Sequence, residues 1–331
     1  MKKEWDMNIQ NQISVVVSIY NMEKYLERFL KTLVVQRYIY EIILIDDGST
    51  DRSHEICDLY EKKYVDLIKV IHKKNGGLSS ARNAGIDIAT GEFIIFPDPD
   101  DWLEKDYLEN LIDLKIKHNS DLSCTGYYID NDTKSECANK KHHFKKMSGL
   151  EARKELIVSH YLMGFAWNKL FYLKYIKDHN LYFRDDVGTT EDLDFLFRYL
   201  EYCNCVVYDP AIRTYHYCQH DQAQTHGAFS LNKYKSINTY LSIIDRFGYD
   251  KEIDNAAKTE ICNIIINLIP LYFKSNEKNN IVYEDMKKYL KMYLKNYVKC
   301  KQYGPTRKMQ AVLARFMPYI YFLIIEQFKG G

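Results

Sequence analysis

Hydrophobic positions follow two rhythms over the first third of the chain. Ile13 to Ile19 is a continuous run rich in β-branched residues, the pattern of a strand buried on both faces of a parallel sheet. At Tyr20-Asn21 it gives way to apolar residues three and four apart, Tyr25, Leu26, Phe29, Leu30 and Leu33, which predict a helix from about Glu23 to Val34. The exchange recurs at Glu41–Ile45 with a helix to about Tyr64, which Ser49 or Thr50 is placed to cap. It recurs again at Leu67–Ile71, followed by Asn75-Gly76-Gly77 and a helix, and the apolar run Phe93–Phe96 closes the series. This alternation predicts a doubly wound, mostly parallel, Rossmann-like α/β sheet.

Beyond Trp102 the pattern loosens. A helix is expected over about Lys105–His118, a strand over Asp121–Asp130, and a polar, lysine-rich loop from Asp130 to Lys146. Ser148-Gly149-Leu150-Glu151 has the form of a capping box and opens a helix to about His160. Cys205–Tyr208 and Ile212–Tyr217 read as two further short strands, and from Leu231 the periodicity is helical. The expected division is a catalytic domain over residues 1–225 and a C-terminal helical appendage over 226–331.

Candidate chemistry gathers where strands end. Asp47 follows the second strand, where a carboxylate can accept from a base N–H or a ribose hydroxyl while Tyr20 stacks on the base; the plainer role for Asp47 is to cap the next helix. Gly76-Gly77 permit close backbone approach, and Arg82 beyond them can reach a phosphate or base, or make a surface ion pair. The fourth strand runs into Asp98-Pro99-Asp100-Asp101. Clustered carboxylates repel one another unless a divalent cation sits between them, and hard oxygens suit Mg²⁺ or Mn²⁺. Pro99 favours a turn, so Asp98 and Asp100 are expected to serve different atoms, one the sugar hydroxyls and the other the metal, with Asp101 structural. Glu191-Asp192 open a helix, where the dipole favours acids; Asp192 is equally placed to be a general base. His216 or His220 could add a third metal ligand or be ordinary packing histidines, and Phe165–Leu170 brings an aromatic, an amide and a cation into close succession.

Composition narrows the setting. Across 331 residues, Lys+Arg of 46 against Asp+Glu of 45 leaves a formal charge of +1, which gives no reason to expect a nucleic-acid partner. Charge is uneven, with ten Lys or Arg against three Asp or Glu between Tyr272 and Lys308. Eight scattered cysteines fit a reducing cytoplasm. The polar N-terminus is not expected to be a signal peptide, and Phe316–Ile325, broken by Pro318, falls short of the roughly 20 residues a bilayer span needs. A cytoplasmic protein is expected, soluble or peripheral at the inner face of the membrane. Lysines interleaved with Tyr289, Met292, Tyr293 and Tyr297 can rest on anionic lipid, or these helices can pack on the catalytic domain or across a homodimer interface.

The segments VVVSIYNMEKYL, EIILIDDGSTDRS, NGGLSSARNAGIDIATGEFIIFPDPDDWL and TTEDLDFLF together resemble the family 2 glycosyltransferases that build bacterial capsular and other surface polysaccharides, over about Gln12–Gln224. The resemblance implies a GT-A fold and an inverting, Mg²⁺- or Mn²⁺-dependent transfer from a nucleotide diphospho-sugar, usually UDP-linked, to a saccharide acceptor, lipid-linked among them, or to a glycoprotein. It implies that Tyr20 and Asp47 hold the base, that Arg82 is the basic residue at the nucleotide, that Asp98 and Asp100 form the DxD motif, and that Asp192 is the catalytic base. Two departures, Ser18 where proline is usual and Pro99 where a small residue is usual, leave the local turn geometry open. The lack of transmembrane helices and of a Gln-x-x-Arg-Trp motif favours a single addition over processive synthesis. A sugar nucleotidyltransferase would carry a glycine-rich phosphate loop near its N-terminus, which Ile19-Tyr20-Asn21 is not. A silent carbohydrate-binding or scaffolding subunit would not need Asp47, Asp98, Asp100 and Asp192 together.

Overall fold

In the computed structural model, which describes residues 13–131, 133–219, 228–276 and 279–329, the first β-branched run lies inside the sheet. The first βα series comprises β1 (Ile13–Ile19), α1 (Leu26–Leu33), β2 (Ile39–Asp46), α2 (Ser53–Lys63), β3 (Ile68–His72), α3 (Leu78–Ile88) and β4 (Phe93–Ile95). β1 pairs in parallel with β2 and β4, and β2 with β3. The apolar side chains of β1 are buried to within 1% on both faces, which is why that strand reads as an unbroken apolar run. Gly85 lets α3 lie against it, since a Cβ there would sit 2.2 Å from Val16 Cγ1.

The sheet then widens through β5 (Trp102–Leu103), α4 (Tyr107–His118), β6 (Leu122–Asn131), β7 (Lys134–Cys137), β8 (Lys145–Met147), α5 (Gly149–Ile157), β9 (Lys169–Tyr172), α6 (Leu173–Asp178), α7 (Glu191–Tyr199) and β10 (Val206–Cys218). Among the described residues ten strands form one sheet in the order β3-β2-β1-β4-β9-β6-β10-β5, with β7 on β6 and β8 on β10. β9 runs antiparallel between β4 and β6 and so joins the parallel block to the rest. Aromatic rings fill the core beside it: Trp167 stacks on Tyr215 with centroids 4.3 Å apart, and Tyr107 meets Tyr215 edge-on. Each such ring fully removed from water contributes on the order of 1.5–3 kcal/mol.

The α/β expectation holds, and several local ones change. Neither Ser49 nor Thr50 caps α2: Arg52 stands at its N-cap without a side-chain bond, Asp51 Oδ1 accepts from Ser53 N at 2.9 Å, and Ser49 and Thr50 bind Asn21 instead. The segment expected to be a loop from Asp130 to Lys146 contains β7 and β8, whose lysines and mostly exposed side chains hide a strand from hydrophobic patterning. The two expected short strands are one, β10, whose register on β6 shifts between Asp209 and Arg213; there Gly126 makes room for the Pro210 carbonyl, 2.4 Å from where a Cβ would stand. The capping box forms as expected, with Glu151 Oε2 accepting from Ser148 N at 2.7 Å and Ser148 Oγ from Glu151 N at 3.3 Å, although its helix ends at Ile157.

The chain divides into two compact units. One comprises the described residues of Met1–Leu156, Tyr161–Asp185 and Asp192–Asp221, and contains the sheet. The other, Ile157–His160, Asp186–Glu191 and Gln222–Gly331, contains α8 (Leu231–Lys235), α9 (Ile237–Phe247), α10 (Lys251–Lys274), α11 (Asn280–Lys299), α12 (Pro305–Phe316) and α13 (Pro318–Lys329). Asp250 and Asn279 cap α10 and α11 through their side chains, and Ile261, Ile265 and Ile269 of α10 are fully buried within this unit. No helix among the described residues is long and apolar enough to cross a membrane.

Candidate active site

The site is built where β1, β2 and β4 end together. Asp47 N donates to Ile19 O at 2.8 Å, which sets Asp47 beside Tyr20 as the two strands stop. The following loops are tied to each other: Asn21 N donates to Ser49 Oγ, Thr50 N to Asn21 Oδ1, Met22 N to Ser53 Oγ, Glu23 N to Asp51 Oδ2 and Arg52 N to Glu23 Oε2, at 2.7–3.1 Å. Asn21 and Gly48 take positive φ, at 54° and 76°. At Gly48 a Cβ would also press on Asn75 N at 2.9 Å. Tyr20 is left exposed at this rim.

Asp47 itself is buried and does not cap α2. Its Oδ1 accepts from Lys73 Nζ at 2.5 Å and Gly76 N at 3.0 Å, and its Oδ2 from Gly77 N at 2.7 Å, so it fixes the glycine turn that opens α3. Lys73 was not singled out from the sequence; its place two residues before Asn75-Gly76-Gly77 was the available signal.

Arg82, on α3, is 2% exposed, so it makes no surface ion pair. Nη1 is ion-paired to Asp192 Oδ1, Nη2 reaches Asp98 Oδ1 at 3.2 Å, and the guanidinium lies 5.0 Å from the centroid of the Phe183 ring. Asp192 stands in the first turn of α7 with its Oδ2 accepting from Ala166 N at 2.9 Å. One planar cation thereby joins the strand-end carboxylate to the helix-start carboxylate.

The Asp98–Asp101 turn closes with Asp101 N donating to Asp98 O at 3.3 Å, and neighbouring elements hold it. Arg28 of α1 donates to Asp100 O at 2.6 Å, while Tyr215 OH accepts from Asp98 N at 3.1 Å and donates to Asp101 Oδ2 at 2.6 Å. Cys218 N donates to Asp101 Oδ1 at 2.8 Å, leaving Asp101 fully buried. Burial, reinforced by the charges of Asp100 and Asp98, drives the Asp101 carboxyl well above the usual range. Among the described residues no three His, Cys, Asp or Glu side chains form a ready-made metal cage. Two carboxylates at a strand end still suit Mg²⁺ or Mn²⁺, which take one or two protein carboxylates and complete their shell with water and substrate phosphates.

His216 takes the packing alternative. Its ring is stacked 3.5 Å from Trp102 and 4.7 Å from Tyr128, with Nδ1 at 3.0 Å from Asp130 Oδ2 and Nε2 at 3.2 Å from Glu104 Oε1. His220 lies outside the described residues. Tyr215, Arg28 and Lys169 complete the supporting shell: Tyr215 and Arg28 were not singled out from the sequence, and Lys169 is the cation of the Phe165–Leu170 succession, for which the sequence alone suggested no role.

Residues 14–178 match the sequence profile of glycosyl transferase family 2. EpsH of Bacillus subtilis is 35% identical over 223 residues, 63% of this chain and 61% of EpsH, so the chain spans less than two thirds of that relative. The cholesterol galactosyltransferase of Borreliella burgdorferi is 31% identical over 264 residues, 75% of this chain and 71% of its own length. The crystal structure of Staphylococcus aureus TarS 1–349 in complex with UDP-GlcNAc superposes with a TM-score of 0.64 at 21% identity, over 96% of this chain and 90% of that one, a likeness of GT-A fold.

Proposed function

This chain belongs to glycosyl transferase family 2, and from that premise we propose that it moves a hexosyl or N-acetylhexosaminyl group from a nucleotide diphospho-sugar, UDP-linked by preference, to a saccharide hydroxyl with inversion, in the making of a surface polysaccharide or glycoconjugate. The observation that supports the reading is the Arg82 bridge, which brings the carboxylates of Asp98 and Asp192 to one guanidinium. In this reading Tyr20 stacks on the base and Asp47 shapes the nucleotide end through the glycine turn. Arg82 offers positive charge to the donor, and Asp98 orients the sugar hydroxyls. Mn²⁺ or Mg²⁺ would be held by Asp100 and Asp98, and when bound supplies positive charge against the leaving diphosphate.

Asp192 takes the proton of the acceptor hydroxyl. Both its oxygens carry one bond each, and a carboxylate offers about four lone-pair positions, so acceptor contact remains available. The hydroxyl oxygen bonds to the anomeric carbon from the face opposite the diphosphate, the bond to the diphosphate breaks, and the configuration inverts. The catalytic work is assigned to residues 1–225. The helical residues 226–331 are assigned to docking: Phe316, Met317, Tyr319, Ile320, Leu323 and Phe328 are exposed from the end of α12 through α13, and they follow the lysine-rich stretch Tyr272–Lys308, a pairing of apolar and basic segments suited to an anionic leaflet carrying a lipid-linked acceptor. Incubation with a panel of UDP-sugars, acceptors and Mn²⁺, read as UDP release, tests the activity; one donor is expected to give turnover. Silence with every donor and acceptor would leave a carbohydrate-binding subunit as the better account.

A further inference from the structure

Lys169, the first residue of β9, is fully buried opposite Cys124 of β6, although lysines are almost never buried completely without a partner. Its partners are neutral oxygens: Nζ donates to Phe165 O at 2.6 Å and to Asn168 Oδ1 at 2.7 Å. Asn168 is itself fixed, donating from Nδ2 to Thr125 O at 2.7 Å. The Phe165 carbonyl and the Ala166 N–H are the two ends of one planar peptide unit. That N–H is the donor to Asp192 Oδ2 at 2.9 Å. A continuous path therefore runs from the ammonium through the peptide to the carboxylate. Charge drawn onto the carbonyl oxygen makes the N–H a stronger donor, and linked hydrogen bonds in a dry interior polarise one another.

We propose that Lys169 is a positioning residue for Asp192, acting through the Phe165–Ala166 peptide to orient the carboxylate. The proposal rests on the reading of Asp192 as the base. Asp192 is faced by Arg82 from α3, with Asp98 beyond it, and by Lys169 from β9; on its own helix the neighbouring acids are Glu191 and Asp194, the latter paired with Arg184 and Arg198. The guanidinium of Arg82 is permanently charged, so in mildly alkaline solution the titrating cation beside Asp192 is Lys169. Burial pushes its ammonium down to about 8, against the opposing pull of Cys124 and Asp192.

The Phe-Ala dipeptide occurs once in the sequence, so carbonyl-¹³C phenylalanine with ¹⁵N-alanine gives a single amide signal, that of Ala166. In the wild-type protein this signal should move upfield with a midpoint near about 8, and kcat should fall over the same range. In Lys169→Met the signal should lie upfield and no longer titrate. The variant's kcat should fall roughly tenfold or more and should no longer decline as pH rises through about 8, while the donor KM stays near its wild-type value. A merely structural lysine would lower stability and leave that decline in place. A wild-type Ala166 signal that ignores pH between 7 and 10, or a Lys169→Met kcat that declines over the same range as the wild type's, overturns the proposal. Should Lys169→Met not fold, the wild-type titration decides alone. An active Asp192→Asn takes down both readings, whereas an inactive one with an unresponsive Ala166 signal takes down only this one.

Discussion

The buried guanidinium of Arg82 of α3 is ion-paired to Asp192, 110 positions further along the chain, whose side chain keeps 18% of its surface exposed. Removing one partner of a fully buried pair strands the other's charge, at a cost of about 3–5 kcal/mol. Asp192 and Asp98 stay partly hydrated when Arg82 is lost, so Arg82→Ala should lower the urea-unfolding free energy by less than that, on the order of 1–3 kcal/mol. Arg82→Lys keeps the charge but not the planar fork, so it should recover part of the stability and little of the kcat. Equal kcat in Arg82→Lys and wild type would show that the fork is not needed.

Asp47 organises a loop more than it offers itself to solvent. Asp47→Ala leaves the Gly76 and Gly77 amides and the Lys73 ammonium without their shared acceptor, so UDP affinity by calorimetry should drop roughly tenfold or more, consistent with the loss of charge-assisted hydrogen bonds. An unchanged affinity would separate the glycine turn from nucleotide binding.

Asp100→Ala should abolish transfer and leave the circular dichroism spectrum and unfolding midpoint near wild type, because the substitution keeps the backbone carbonyl that Arg28 binds and removes a negative charge beside the buried Asp101. Chelation should silence the wild-type enzyme and Mn²⁺ or Mg²⁺ should restore it. Turnover that persists in EDTA would remove the metal from the proposal.

Stability should carry a pH signature from His72, whose ring lies 2.8 Å from Asp46 Oδ2 and 2.9 Å from Asp58 Oδ1. The bond to Asp46, then that to Asp58, raises its pKa above 6.5. A raised folded-state value means the contribution is complete below 6.5 and is lost as pH climbs through the folded value. The ring is nearly half exposed, so the effect should stay at about 1 kcal/mol or less. Comparing wild type with His72→Gln by urea unfolding at about pH 5.5 and 8.5 measures it; a difference that grows toward high pH would contradict the sign.

The first βα series was legible because β1, the inner part of β2 and β4 are buried on both faces and so read as nearly unbroken apolar runs, and because β2 and β4 run into acidic residues at Asp46-Asp47 and Asp98. β9 was not legible: four residues beginning with a buried lysine look like loop until the Phe165 carbonyl and Asn168 are in place to receive it. β10 was read as two strands because Asp209, Pro210 and Arg213 interrupt its apolar rhythm at a register shift invisible in one dimension. The carboxylates could be singled out as candidates, yet nothing local says that Arg82 spans Asp98 and Asp192, since Arg82 and Asp192 stand 110 positions apart and meet only once the chain between them has folded.

The hydrogen bonds that tie the loop after β1 to the loop after β2 also limit how the protein can be redesigned. Asn21, Glu23, Ser49, Asp51 and Ser53 each complete a bond whose other half lies in the opposite loop. A chimera that exchanges one loop alone should fail at the seam, whereas a cassette carrying residues 20–23 and 47–53 together can move between relatives intact. Changes in nucleotide preference would then have to be made in both segments at once.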